Sequence, residues 1–323
     1  MNIQDKLLEI QNLCIDYHLL QNPLKAVEDV SLDIQKNEIV GLVGESGCGK
    51  STLGLSILRL LRPPGTIVSG KILLKGENLL KLSPKEMQNI RGERISIVFQ
   101  DPLTYLNPVM KIKNQIIESI LNHQKISKNE ASIQTINLLK TMQIAAPNDV
   151  ANSYPHQLSG GMLQRSLLSM ALSSSPELLI ADEPTTALDV TIQAQILDLL
   201  MNLKSTRGMS ILLISHDLGI VSEICDRVYI MYAGKIVEET SVFNLFEQPL
   251  HPYTRGLLSA VLSIDEFKER LITIEGNVPN LQDPPSGCRF HPRCKEKMDI
   301  CENIEPEMYT FENKHKTACW LYR

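Results

Sequence analysis

Eight residues, Gly44-Glu45-Ser46-Gly47-Cys48-Gly49-Lys50-Ser51, leave few folds open to this chain. The pattern G-x-x-x-x-G-K-S lets successive backbone N–H groups converge on phosphate oxygens, supplies Lys50 for the β/γ oxygens and offers the Ser51 hydroxyl to Mg²⁺. Its surroundings suit that use. From Glu38 the run EIVGLV reads as a buried strand, and Leu53, Ile57 and Leu61 fall at i, i+4, i+8 on a following helix, whose N-terminus adds positive potential. A chance glycine-rich turn with a lysine would lack those flanks.

Apolar, β-branched stretches recur at Ile95 to Phe99, Leu178 to Ala181, Ile211 to Ile214 and Val228 to Met231, between helical patterns such as Ile192, Ile196, Leu199, Leu203. Alternating strands and helices predict a mostly parallel α/β sheet. Before it, Leu7 to Ile34 alternates in short segments around Asn22-Pro23 and reads as an antiparallel β flank. From about Asp101 to Leu172 the strand signal is absent, and Ile116, Ile117, Ile120, Leu121, then Ile133, Ile136, Leu138, Leu139, predict a helical insertion. After about Ser241 the rhythm ends, and Pro279, Pro284, Pro285, Gly287 and Pro292 break regular elements, so a boundary is placed near 240.

The strand Leu178 to Ala181 runs into Asp182-Glu183. At the C-terminal edge of a parallel strand these acids face the crevice of the phosphate loop, where Asp182 would hold Mg²⁺ or its water shell and Glu183 would polarise the attacking water. An ordinary acidic strand end is the plainer alternative.

With 323 residues there is room for about two domains. Lys plus Arg number 32 against 37 Asp plus Glu, a net charge of −5 that offers no chain-wide basic field, so nucleic acid is excluded as a general partner. The start MNIQDKLLEI lacks a secretory pattern, and no apolar run approaches the roughly 20 residues of a membrane span, so a soluble, cytosolic chain is expected. Cys288, Cys294, Cys301 and Cys319 cluster near the C-terminus, spaced C-x5-C-x6-C-x17-C. That spacing is not a zinc knuckle, yet four thiolates can complete an iron–sulfur cluster. Arg289, Arg293, Lys295 and Lys297 are expected to lower the thiol pKa values. The options are a cluster, Zn²⁺, or reduced structural thiols. Cys48 is a small filler that a helix N-terminus could render thiolate-like; the six histidines other than His216 read as surface residues by default.

With Leu158-Ser159-Gly160-Gly161-Met162 ahead of a helical stretch, the chain resembles ATP-binding cassette (ABC) ATPases. Their landmarks occur in order over residues 1 to about 240: the phosphate loop, Gln100 after a strand, the signature pentapeptide, Asp182-Glu183, Ala187-Leu188-Asp189, and His216 after ILLIS. The signature departs from the general family at Met162, usually Gln, and Leu163, often basic; Met and the preceding Tyr154-Pro155-His156-Gln157 are common in the peptide-importer branch. FEQPLHPYTRGLLSA from Phe246, Gly276-Asn277-Val278-Pro279 and GCRFHPRC resemble the C-terminal extension of ATPase subunits of dipeptide, oligopeptide and nickel importers.

The resemblance implies a P-loop NTPase RecA-like core with an antiparallel β flank and helical subdomain (about 101–172) within residues 1–240, and a Cys-rich extension over 241–323. It implies ATP and Mg²⁺ held by Gly44 to Ser51 and Thr52, with Tyr17 stacking on adenine. Ser51, Gln100 and Asp182 would attend Mg²⁺, Glu183 would activate water and His216 would contact the γ-phosphate. Ser159, Gly160 and Gly161 would meet the γ-phosphate of a partner's loop, with Asp189 at the dimer seam. Some members of the branch carry a [4Fe-4S] cluster on the C-terminal cysteines. The implied partners are a second, related ATPase subunit, two transmembrane permeases and, indirectly, an extracytoplasmic solute-binding protein. The chain would sit peripherally on the cytoplasmic membrane face and drive uptake of di- or oligopeptides, or of nickel or another small solute; a soluble cassette outside transport is the rival of a different class.

Overall fold

Alternating buried residues make amphipathic strands of β1 (Lys6–Tyr17), which buries Leu8, Ile10, Leu13 and Ile15, and β2 (Leu24–Gln35), which buries Val27, Val30, Leu32 and Ile34. The computed structural model describes residues 6–18, 22–186, 188–265 and 274–323. The two strands pair antiparallel, with Ile10 opposite Leu32 and Ile15 opposite Val27, as the sequence predicts for the flank. Next come β3 (Ile39–Val43), α1 (Lys50–Ile57), β4 (Gly65–Leu74) and β5 (Glu77–Asn78), and the flank sheet runs β2-β1-β4-β5. Helix α1 is shorter than the i, i+4, i+8 spacing predicts: it ends at Ile57, Arg59 turns into the left-handed region (φ 51°), and Leu61 lies beyond it.

The chain continues through α2 (Pro84–Ile90), β6 (Ile95–Val98), α3 (Pro102–Tyr105), α4 (Ile112–His123), α5 (Lys128–Thr141), α6 (Pro147–Asn152), α7 (Gly160–Ala171), β7 (Leu178–Asp182) and α8 (Val190–Arg207). Then follow β8 (Ser210–Ser215), α9 (Leu218–Ile224), β9 (Arg227–Tyr232), β10 (Lys235–Ser241), α10 (Val242–Glu247), α11 (Pro252–Asp265), α12 (Ile300–Asn303), β11 (Tyr309–Thr310) and β12 (Lys316–Thr317). Two compact units emerge, one of residues up to 35, 39–80 and 213 onward, the other of 36–38 and 81–212.

Beside the flank sheet, the first unit holds the strand order β11-β12-β10-β9-β3. β3 and β9 are parallel, with Leu42 opposite Tyr229, and the other pairs are antiparallel. All five residues of β3 are buried, which explains their unbroken apolar run. The C-terminal segment is not a separate body here. β10 runs across residue 240 and pairs with β12, Glu238 opposite Thr317, so the tail extends the same sheet.

In the second unit β6 and β7 pair parallel, with Ile97 opposite Ile180. Helix α4 buries Ile116, Ile117 and Ile120. Helix α5 starts at a capping box of Ser127 and Glu130 and buries Ala131, Thr135, Leu138 and Leu139, an i, i+4, i+7, i+8 stripe. Ile133 falls off that stripe and is 65% exposed, contrary to its place in the predicted apolar set. Among the described residues no helix is long and apolar enough to cross a membrane.

Candidate functional site

The buried strand β3 delivers the chain into Gly44, where any Cβ would lie 2.1 Å from the Met231 carbonyl oxygen. At the other end of the loop Gly49 caps α1 in the left-handed region (φ 107°), and a Cβ there would meet the Ala26 carbonyl oxygen at 2.3 Å. Both glycines are therefore steric requirements of the turn. Lys50, the first helical residue, is 5% exposed, and its Nζ donates to the carbonyls of Gly44 (2.7 Å) and Glu45 (3.0 Å), which centres the ammonium over the loop. Ser46, Gly47 and Ser51 are exposed beside it. Burial pushes the Cys48 thiol up despite the opposing pull of Lys50, so Cys48 is a neutral thiol in the loop wall, which corrects the thiolate expectation. The Tyr17 hydroxyl lies 3.4 Å from Thr52 Oγ1, setting the half-buried ring beside the first turn of α1.

In the second unit the parallel pair β6 and β7 brings two of the sequence-selected residues together. Asp182 ends the fully buried β7 and is 7% exposed. Glu183 follows in the left-handed region (φ 47°), a conformation that non-glycine residues rarely adopt and that concentrates at functional positions. Gln100 Nε2 donates to Glu183 Oε2 at 2.7 Å, and Thr186 Oγ1 donates to the same oxygen at 3.0 Å. Two donors thus aim the carboxylate.

Also in the second unit, Ser159 is the N-cap of α7 and accepts from the Met162 N–H at 3.4 Å, leaving Gly160 and Gly161 as the first helical residues. Asp189 caps α8 in the same way, accepting from the Ile192 N–H at 2.9 Å. A Cβ on Gly161 would come within 2.9 Å of Ile192 Cγ2, so the small residue lets the starts of α7 and α8 approach. Ala187 lies outside the described residues. His216 is exposed just after β8, in the first unit.

The C-terminal cysteines depart from expectation. Among the described residues no group of three or more His, Cys, Asp or Glu side chains is arranged to hold a metal ion, so the [4Fe-4S] cluster and the Zn²⁺ alternative are unsupported as the residues stand. Burial, and secondarily the nearby thiols, push Cys288 up to about 12 and Cys319 up to about 11, and burial raises Cys294 as well. The basic residues expected to lower them are engaged with carboxylates. Arg289 pairs with Glu28, Arg293 with Glu45, Lys295 with Glu275 and Lys297 with Glu302.

Two histidines read from the sequence as surface residues are core residues. His251 is 1% exposed, and its Nδ1 accepts the Tyr253 N–H at 3.1 Å. His315 Nε2 lies 2.7 Å from Glu238 Oε1, and that wholly buried carboxylate also accepts the N–H groups of Leu250 (2.8 Å) and His251 (2.9 Å). Neither histidine carries a local sign of burial, because the group that both meet, Glu238, lies 13 and 77 positions away. Arg293 and Tyr253, both of which reach the phosphate loop, carried no local signal.

A phosphate loop between a buried strand and a helix, together with an aimed glutamate after a second strand and a glycine-led signature helix, defines an ATP-binding cassette. Residues 27–186 match the family described as ABC transporter, and residues 237–301 match the oligopeptide/dipeptide transporter, C-terminal region. The chain is 45% identical to the dipeptide transport ATP-binding protein DppD of Bacillus subtilis (strain 168), over 98% of its own length and 95% of that protein's. It is 46% identical to a probable peptide ABC transporter ATP-binding protein, y4tR, of Sinorhizobium fredii, with the same two coverages of 98% and 95%. The dimeric bacterial ABC transporter cassette MJ0796 matches with a TM-score of 0.66 and 27% identity, over 73% of this chain and 98% of that one. This chain belongs to the ATP-binding proteins of ABC transporters, in the branch that carries the oligopeptide/dipeptide transporter C-terminal region.

Proposed function

We infer that this chain is an ATP-hydrolysing subunit of an ABC importer and that it energises uptake of di- or oligopeptides through two transmembrane permease partners. The observation that carries the hydrolytic part is the Gln100 to Glu183 hydrogen bond, which aims a carboxylate at the end of the acidic strand. The solute class follows from the tail that the chain shares with the oligopeptide/dipeptide transporter region and from relatives named for dipeptide and oligopeptide transport.

In this reading residues 1–240 form the nucleotide-binding domain, with a helical part over about 101–172, and 241–323 form the extension. The loop N–H groups and Lys50 take the β/γ phosphates, and Tyr17 offers a ring to adenine. Ser51, Gln100 and Asp182 would hold Mg²⁺, a sparse oxygen donor set that suits an ion bound together with substrate phosphates, and the ion would neutralise phosphate charge there. Glu183 accepts a proton from water as it attacks the γ-phosphorus, and His216 hydrogen-bonds a γ oxygen. Ser159, Gly160 and Gly161 cap the nucleotide held by a second, related ATPase subunit, and Asp189 lies at that seam. Nucleotide binding favours the closed pair by differential affinity, and hydrolysis removes the bias. The subunit works at the cytoplasmic membrane face, and the solute, delivered by an extracytoplasmic binding protein, does not touch it.

The test is uptake by the reconstituted complex, offered peptides of graded length and Ni²⁺. ATP-dependent peptide uptake that disappears with Glu183→Gln is expected. Transport of Ni²⁺ alone would reassign the solute, and ATP turnover indifferent to the permeases would overturn the transport reading.

A further inference from the structure

The phosphate loop is gripped by residues far along the chain. Glu45, the second residue of the octet, receives a two-pronged ion pair from Arg293, with Nη1 to Oε2 at 2.7 Å and Nη2 to Oε1 at 3.0 Å. The Arg293 side chain is 6% exposed and that of Glu45 is 26% exposed. The remaining Arg293 donors are also used: Nε bonds the Glu275 carbonyl at 3.0 Å, Nη2 bonds the Ile274 carbonyl at 3.2 Å, and Nη1 reaches the Tyr232 hydroxyl at 3.4 Å. Its guanidinium carbon stands 5.8 Å from the centre of the Tyr232 ring. On the main chain, the Glu45 N–H donates to the Tyr253 hydroxyl at 2.9 Å, and the Tyr253 ring packs against Tyr232 (4.6 Å between centroids) and Phe290 (5.4 Å).

Glu45 is thus fixed by its side chain and by its backbone N–H, and its carbonyl is one of the two that accept from Lys50 Nζ. We propose that Arg293 is a positioning residue of the nucleotide site: through Glu45 it holds one of the two carbonyls that orient the Lys50 ammonium, which makes the C-terminal extension a working part of the phosphate loop. A planar fork with every donor engaged allows one orientation of its carboxylate, as a lysine in its place could not. The proposal rests on the assignment of this loop as the ATP site and adds to it a residue from outside the cassette motifs.

The experiment measures steady-state ATP turnover and fluorescent-nucleotide binding in the assembled complex for Arg293→Ala, Arg293→Lys, Glu45→Gln and the double variant Arg293→Ala/Glu45→Gln. Each alanine or glutamine single variant is expected to raise the KM for ATP about five- to twentyfold, with kcat within about twofold, which is the pattern of lost binding shared by ground and transition states. Arg293→Lys should fall between wild type and Arg293→Ala. The double variant should be no worse than the more affected single, because both substitutions break one link. An unchanged KM with a lowered Tm would make Arg293 a folding residue only, and additive effects would separate it from Glu45; either result overturns the proposal. If Arg293→Ala fails to assemble, Glu45→Gln decides alone. A wild-type complex that binds no ATP removes the underlying assignment and the proposal with it, whereas an active wild type with unaffected variants removes the proposal only.

Discussion

Lowering the pH should loosen the C-terminal part of the protein through His251. Burial holds its imidazole down at about 4, with Arg255 acting in the same sense and Glu238 and the Ala318 backbone opposing. The geometry agrees, because Nδ1 accepts the Tyr253 N–H and must carry no proton to do so. In an unfolded chain the ring titrates near its ordinary 6.5, so between about 6.5 and 4 the unfolded state binds the additional proton and is favoured. The contribution to stability is whole above the unfolded value and falls with pH through that window. A drop from 6.5 to about 4 corresponds to about 3 kcal/mol across the window and about 2 kcal/mol near pH 5. Trp320, the single tryptophan, lies in the tail and reports on it directly. Urea titrations followed by its fluorescence, at closely spaced pH values from 7.5 to 4.5, should give a steeper loss of stability for wild type than for His251→Gln. Subtracting the two curves cancels the other histidines. Parallel curves would refute the reasoning. Glu238 acts in a lower window: burial pushes its carboxyl up, but hydrogen bonds from His315 and from the Leu250 and His251 N–H groups prevail and hold it below its usual range. Its contribution is present above the unfolded value and is lost as pH falls through the folded one.

Three further outcomes are expected. Glu183→Gln should keep ATP binding while slowing turnover on the order of 10²-fold or more, measured by phosphate release and nucleotide retention, and near-normal turnover would remove Glu183 from its role. Tyr17→Ala should weaken ATP binding by about 1–3 kcal/mol while Tyr17→Trp preserves it, and equal affinity in all three proteins would show that the ring carries no base. Gly49→Ala must place a Cβ 2.3 Å from the Ala26 carbonyl at φ 107°, so it should cost more than about 1 kcal/mol of folding stability by denaturant midpoint.

What could be read from the sequence was local. The strand before Gly44, the helix start at Lys50 and the acids after Leu178 declare themselves within a few residues, because periodicity and turn chemistry are short-range. The range of α1 failed at Leu61 because no proline or glycine marks the left-handed Arg59 that ends the helix before it. Ile133 is apolar yet exposed, because the buried stripe of α5 runs through Ala131 and Thr135 and apolarity alone does not fix which face a helix buries. The basic residues around the cysteines suggested acidified thiols, yet their carboxylate partners include Glu28 and Glu45, at the other end of the chain. Likewise nothing near position 293 or 253 announces a bond to residue 45, since those contacts span 248 and 208 positions.

The seam between β10 and β12 bears on how the protein is made. Until residues 316–317 leave the ribosome, the outer side of β10 offers unsatisfied amide and carbonyl groups to any neighbouring extended chain. Once in place, the tail replaces that template with β11, which is only two residues long. Synthesis therefore passes through an adhesive stage that lasts until residues 316–317 are available, and chains cut short before them should yield clumped rather than merely inactive product.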